Sequence, residues 1–210
     1  MKLTKRNKIL LVVVLLLGLS YPIYRFVKKI NPNTKFEVGQ KLDSLNGVYV
    51  YYNGGIDNVE ERNTSADGYN IGLKYQCVEF VKRYYYEFYK HKMPDSYGNA
   101  KDFFSPSVKD GELNKQRNLL QFTNPSAYKL EVGDLIIMDG HSGNPYGHVA
   151  IVSMIYQDAI EIIQQNPGPF ADSRALYSFE KTNLGYRVKN ERVLGWLRIE
   201  QNWDNDPDKF

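Results

Sequence analysis

The chain has 210 residues, 42% hydrophobic and 24% charged, enough apolar content for one packed domain plus an appendage and too much for bulk disorder. The net charge of +3 is unevenly spread: residues 1–29 hold Lys2, Lys5, Arg6, Lys8, Arg25, Lys28 and Lys29 with no acid, so the rest of the chain nets −4. A mildly acidic folded part excludes an electrostatic case for nucleic acid as a partner.

In chain order, MKLTKRNK precedes ILLVVVLLLGLSYPIY, and a basic start before an apolar run reads as an export segment. Residues 9–24 number 16, about 24 Å of helix. Extension to Val27, with Arg25 reaching toward the interface, gives 19, close to the ~20 that cross a bilayer. The segment reads as an uncleaved anchor. The alternatives are a cleaved signal, for which Gly18 and Ser20 supply small residues, and a buried core helix, which the lack of a polar face disfavours. More basic charge before the run than after it directs the domain out of the cytoplasm. The protein is therefore expected to be membrane-anchored and extracytoplasmic (periplasm or cell surface), or secreted if the signal is cleaved. Expected divisions are 1–29 signal anchor, 30–44 linker, 45–200 catalytic domain and 201–210 polar tail.

NGVYVYYNGG reads as a strand ended by Gly54 and Gly55, and residues 56–70 as polar loop. Residues 73–90 suit a helix with Cys77, Val81, Tyr84, Tyr85 and Phe88 on one face, and Lys82, Arg83, Glu87 and Lys90 mostly on the other. Residues 95–128 are mixed, with a short helical stretch at 99–104. Four short strands follow, in LIIM, HVAIVSMIY, AIEIIQQN and RVLGWLRIE, an antiparallel meander by their close spacing. The fold class is α+β: an N-terminal helix bearing Cys77 packed on a small antiparallel sheet bearing His148.

Cys77 is the only cysteine, so an intrachain disulfide is excluded and the thiol is either reactive or inert and buried. At a helix start, unpaired N–H groups and the helix dipole favour a thiolate, and the same groups, with Gln76 beside them, can hold an oxyanion. The other reading of Cys77 is a small apolar residue of the packed face. Among three histidines, His91 reads as a solvated helix end and His141 as loop surface. His148 opens a strand after a loop, a good place for a catalytic base, or for a sheet-edge histidine bonded to its neighbours. Gln164 and Asn166 share one face of the next strand, opposite Glu161, and either amide oxygen can accept the His148 Nδ1–H. Asp139, His141 and His148 match no metal-ligand spacing, so no metal is expected.

These pieces together resemble the CHAP family of cysteine- and histidine-dependent amidohydrolases and peptidases, and within it the amidase domain of glutathionylspermidine synthetase/amidase. GLKYQCVEFVKRYY resembles the nucleophile block G-x-x-x-Q-C-V-E-F. GDLIIMDG followed by GHVAIV resembles the strand–loop–histidine block, and IIQQNPG the E-Q-N block. The resemblance covers roughly residues 45–200 and implies a papain-like fold, Cys77 as nucleophile, His148 as general base, and Gln164 or Asn166 orienting the imidazole. Gln164 stands where the family carries glutamate. The implied reaction is acyl transfer with no metal or organic cofactor. Cell-wall peptides or peptidoglycan are the expected substrate. A glutathionylspermidine-like conjugate, or a decayed module that only binds cell wall, are the alternatives.

Overall fold

The computed structural model describes residues 4–200; the polar tail expected at 201–210 lies outside them. Helix α1 (Lys5–Val27) opens the chain. A hairpin of β1 (Lys41–Leu45) and β2 (Val48–Tyr51) and a ribbon of β3 (Arg62–Thr64) and β4 (Asn70–Leu73) precede helix α2 (Cys77–Glu87). After a 3-10 turn at Lys101–Phe103 come β5 (Glu112–Asn114), β6 (Leu119–Thr123), β7 (Leu135–Met138), β8 (His148–Ile155), β9 (Ala159–Ile163), β10 (Arg174–Thr182), β11 (Gly185–Val188) and β12 (Val193–Arg198). The architecture is α+β.

The sheet is larger than the expected meander. Eight antiparallel strands run in the order β11-β10-β9-β8-β7-β12-β6-β5. It curls until the chain after β6 meets β11: Ser126 and Tyr186 exchange backbone bonds of 2.9 and 2.7 Å, and Asn124 clasps Val188. The polar residues of 95–128 and 174–188 hide these extra strands because their outward faces lie in water, which weakens the apolar signal.

Alternation along the central strands builds two cores, one on each face. Leu135, Ile137, Val149 and Ile151 meet α2 through Phe80, Val81, Tyr84 and Tyr85. Ile136, Met138, Ala150 and Val152 meet Ile160, Ile162, Phe179 and Trp196 inside the curl. Helix α2 is buried on nearly every side, which corrects the expected amphipathic division: Lys82 and Arg83 are buried, while Phe88 is 45% exposed. Lys82 serves the backbone, donating to Ser96 O at 2.6 Å and also to Asn70 O. Residues before Cys77, expected as the helix start, instead form a tight turn.

The stretch expected as a linker at 30–44 is folded against the domain, and β1 begins within it. Asparagines explain the difference, since their side chains satisfy backbone that polar composition alone suggests is free. Asn33 N–H donates to Asn31 Oδ1 at 3.0 Å, and Asn33 Nδ2 donates to Pro169 O at 2.8 Å. The Tyr52 hydroxyl donates to Asn31 Oδ1 at 2.7 Å. Helix α1 has a mean hydropathy of 2.1 over its most apolar 18 residues, and none of its residues is buried. Its 23 residues give about 34 Å, enough to cross a bilayer by length and composition.

Candidate active site

Strand β4 turns into α2 over three residues, and the turn is tight. Tyr75 takes a left-handed φ of 63°, a conformation that costs a non-glycine residue of order 1 kcal/mol or more and concentrates at functional sites. Gly72 carries φ 143°, and a Cβ there would lie 2.9 Å from Glu79 Cα. Only glycine lets the strand pass so close to the first helical turn. Gln76 is the N-cap residue and Cys77 the first residue of α2, so the Cys77 N–H has no acceptor within the helix.

Cys77 is half-buried. Burial pushes its thiol up, and the backbone N–H groups of Val149, Val78 and Cys77 itself pull it only partly back. Burial thus opposes the thiolate that the helix start favours.

His148 is buried at the start of β8, its backbone paired with Met138 across to β7. Its Nε2 lies 2.9 Å from Gln164 Oε1. The Gln164 amide nitrogen donates to Asp172 O at 3.1 Å, which aims the amide oxygen at the ring. An amide oxygen only accepts, so the ring proton sits on Nε2 and Nδ1 carries the lone pair. This reverses the nitrogen assignment expected from sequence. Burial drives the imidazole down to about 4; the Gln164 bond opposes this, and the charge of Arg192 adds to it. The imidazole is therefore neutral near pH 7.

Asn166 does not reach His148, which removes it as the orienting residue. Strand β9 ends at Ile163, and Asn166 adopts φ 54°, so the strand parity that put it beside Gln164 no longer applies. Its Nδ2 donates to Ile56 O at 2.9 Å and to Gln76 Oε1 at 2.8 Å. Gln76 Nε2 donates to Asn58 O at 2.6 Å. These bonds fix the Gln76 amide at the cleft, with one of its two Nε2 protons given to Asn58 O. Glu161 points away and pairs with Arg174 at 2.7 Å. His141 caps its own loop, accepting from Gly143 N–H at 3.1 Å. His91 is partly buried rather than solvated, its Nε2 2.9 Å from Arg117 O.

Gln76, Cys77 and His148 line one cavity of about 460 Å³, together with Arg25, Arg62, Tyr97 and Tyr146. Such a volume suits a short peptide segment.

Beneath the cavity lies a polar lock that the sequence reading missed. Buried Glu79 accepts from Arg83 Nε at 2.7 Å, Asn63 Nδ2 at 2.8 Å and Gln165 Nε2 at 2.9 Å. Gln165 also donates to Gln76 O at 3.0 Å and accepts from Tyr51 N–H at 2.8 Å. Adjacent glutamines of opposite strand parity were the available signal: Gln164 serves the imidazole and Gln165 the nucleophile turn. Glu79→Ala strands the Arg83 charge, and breaking such a buried pair costs about 3–5 kcal/mol. Urea denaturation of the variant is expected to show a midpoint lowered accordingly, with an unchanged m-value.

Residues 66–166 match the family model described as CHAP domain. A trypanothione synthetase of Crithidia fasciculata is 29% identical over 143 residues, covering 67% of this chain and 20% of that protein. A glutathionylspermidine synthase of the same organism is 26% identical over 152 residues, covering 66% and 20%. The chain thus spans about a fifth of the length of the curated relatives it matches. A solved structure, that of a wild-type endolysin, LysIME-EF1, overlaps 67% of this chain and 58% of its own at 20% identity and a TM-score of 0.37.

Proposed function

Residues 66–166 carry a CHAP domain, and from that premise we propose that the chain is a cysteine-dependent amidase or endopeptidase that hydrolyses amide bonds of peptidoglycan peptides outside the cytoplasm. One observation carries the reading: Cys77 at a helix start and the Gln164-oriented His148 face the same cavity. The apolar α1 supports a site held on the outer side of a membrane. Residues 1–29 act as the anchor and residues 45–200 as the catalytic body.

In this mechanism His148 Nδ1 takes the Cys77 thiol proton as Sγ attacks the amide carbonyl carbon. The Cys77 N–H and the second N–H of Gln76 Nε2 hold the oxygen as it becomes negative. His148 then gives the proton to the leaving nitrogen, the C–N bond breaks, and an acyl thioester remains on Cys77. His148 Nδ1 next deprotonates water, which attacks the thioester and restores the thiol. Gln164 keeps a proton on Nε2 throughout, so that Nδ1 is the nitrogen that takes and gives the transferred proton.

The full chain in detergent, incubated with purified peptidoglycan, is expected to release new amino groups. Release no greater than that from the chain alkylated at Cys77 with iodoacetamide overturns the reading and favours a module that only binds cell wall. Similarity to a glutathionylspermidine synthase favours one competing substrate, a glutathionyl–polyamine conjugate. Turnover of glutathionylspermidine with none of peptidoglycan would establish that reading instead.

A further inference from the structure

One wall of the cleft comes from the end of α1, outside the 66–166 domain altogether. Arg25 lines the cavity with Cys77 and His148. Its Nη1 lies 3.7 Å from Asp57 Oδ2, and Lys28 Nζ lies 3.2 Å from the same oxygen. Lys28 also donates to Gly143 O at 3.0 Å, and the Asp57 N–H donates to Lys28 O at 3.1 Å. The backbones meet as closely as glycine allows: a Cβ on Gly55 would lie 2.4 Å from Lys28 O and 2.6 Å from Ile30 O. The end of α1 is thus seated on the domain.

Charge in this cleft is unbalanced. Asp57 is the only acid in its lining among the described residues, against Arg25 and Arg62, and Lys28 already takes the shorter contact with Asp57. Arg62 has no carboxylate partner among the described residues. Its Nη1 donates to the neutral Asn70 Oδ1 at 2.8 Å, and its guanidinium lies 5.5 Å from the centre of the Tyr97 ring. The Arg25 side chain is 42% exposed. Both guanidinium groups therefore present donors to the cavity, and a guanidinium pairs best with a planar anion.

We propose that Arg25 and Arg62 form an anion subsite of the cleft, which takes a carboxylate carried by the peptide substrate beside the scissile amide, with the membrane-proximal end of α1 as part of the binding wall. The subsite rests on the amidase reading above and adds a substrate class to it: acidic peptides gripped at the membrane surface. A lipid phosphate shares the chemistry of the ligand, and the experiment separates the two sources.

The full chain is placed in nanodiscs of phosphatidylcholine and offered one peptide in two forms, with a free carboxylate or with the corresponding carboxamide. Binding to the Cys77→Ala chain is read by calorimetry, and kcat/KM with the unaltered chain. The carboxylate form is expected to bind about tenfold tighter or better, since one charge-assisted hydrogen bond accounts for that factor. Arg25→Gln and Arg62→Gln are each expected to reduce this preference by about the same factor. Gly55→Ala, which touches no substrate, forces the α1 end off the domain. It is expected to lower the preference as far as Arg25→Gln does and to add nothing when combined with it. Equal binding of the two peptides, or a preference indifferent to Arg25→Gln, overturns the proposal. So does a preference that disappears when phosphatidylglycerol is included, because the arginines then belong to lipid. A chain that keeps the binding preference but cleaves neither peptide sinks the amidase reading and leaves the subsite standing.

Discussion

Cys77→Ala is expected to abolish amide hydrolysis, and His148→Ala to come close to doing so. Loss of a nucleophile or its base in comparable triads lowers kcat by about 10⁴ to 10⁶. The geometry supports a similar range here. Cys77 is the only thiol in the chain, and no hydroxyl side chain occupies the first turn of α2 to replace it. The imidazole has no substitute either, since His141 and His91 are engaged elsewhere. Because the two residues act as one unit, the double variant is expected to fall no further than the worse single one. Steady-state kinetics on released amines measures all three. A single variant that keeps more than about a hundredth of the rate contradicts the assigned role, because general-base help alone is worth about 10²–10⁴. Cys77 packs against the core only at its edge, so the alanine variant is expected to unfold at nearly the same urea concentration as the parent.

Gln164→Glu is expected to move the acid limb of the pH–rate profile upward. In the parent chain His148 must be neutral to act as base, and burial holds its protonation near pH 4. The acid limb of kcat/KM should therefore lie near that value, well below the ordinary imidazole range. A carboxylate at the Gln164 position, 2.9 Å from Nε2, favours the imidazolium and raises the protonation point by about 1–3 units. The limb is expected to rise by that amount, while transfer to the leaving amine gains from a better-stabilised cation. An unmoved limb would mean that Gln164 does not bond the ring in solution. Gln164→Ala should move the limb down rather than up, because the bond that opposes burial is lost, and lower kcat/KM about 10-fold through loss of one hydrogen bond.

Stability follows from the same group. The imidazole protonates near 4 in the fold, against about 6.5 for an ordinary histidine. This contribution is fully present above pH 6.5 and is lost as pH falls toward 4, because the unfolded chain takes up the proton first. About 3 kcal/mol is at stake by linkage. Urea midpoints taken across that window should fall in the parent chain and fall less in Gln164→Glu.

Much of the cleft was legible in short stretches. The β7 and β8 strands are apolar runs beginning after turns, and His148 opens β8 as its position after Gly147 suggests. The tight turn before Cys77 is less visible, because Tyr75 gives no hint of a left-handed backbone. Lys82 and Arg83 misled for a physical reason: charge normally marks the wet face of a helix. Here Glu79 and the free carbonyls of Asn70 and Ser96 compensate them inside the protein.

Sequence alone determined that a thiol and one well-placed imidazole exist, that they sit on a helix and a strand of an α+β domain, and that an apolar helix precedes it. Periodicity, apolar runs and the cysteine count are local properties, so they survive without coordinates. Tertiary structure alone decided that Gln164 rather than Asn166 meets His148, that Nδ1 is the free nitrogen, and that burial holds the ring neutral. It alone put Arg25 at the cleft. Each of these depends on burial or on partners far apart in the chain, and desolvation has no signature in a linear pattern.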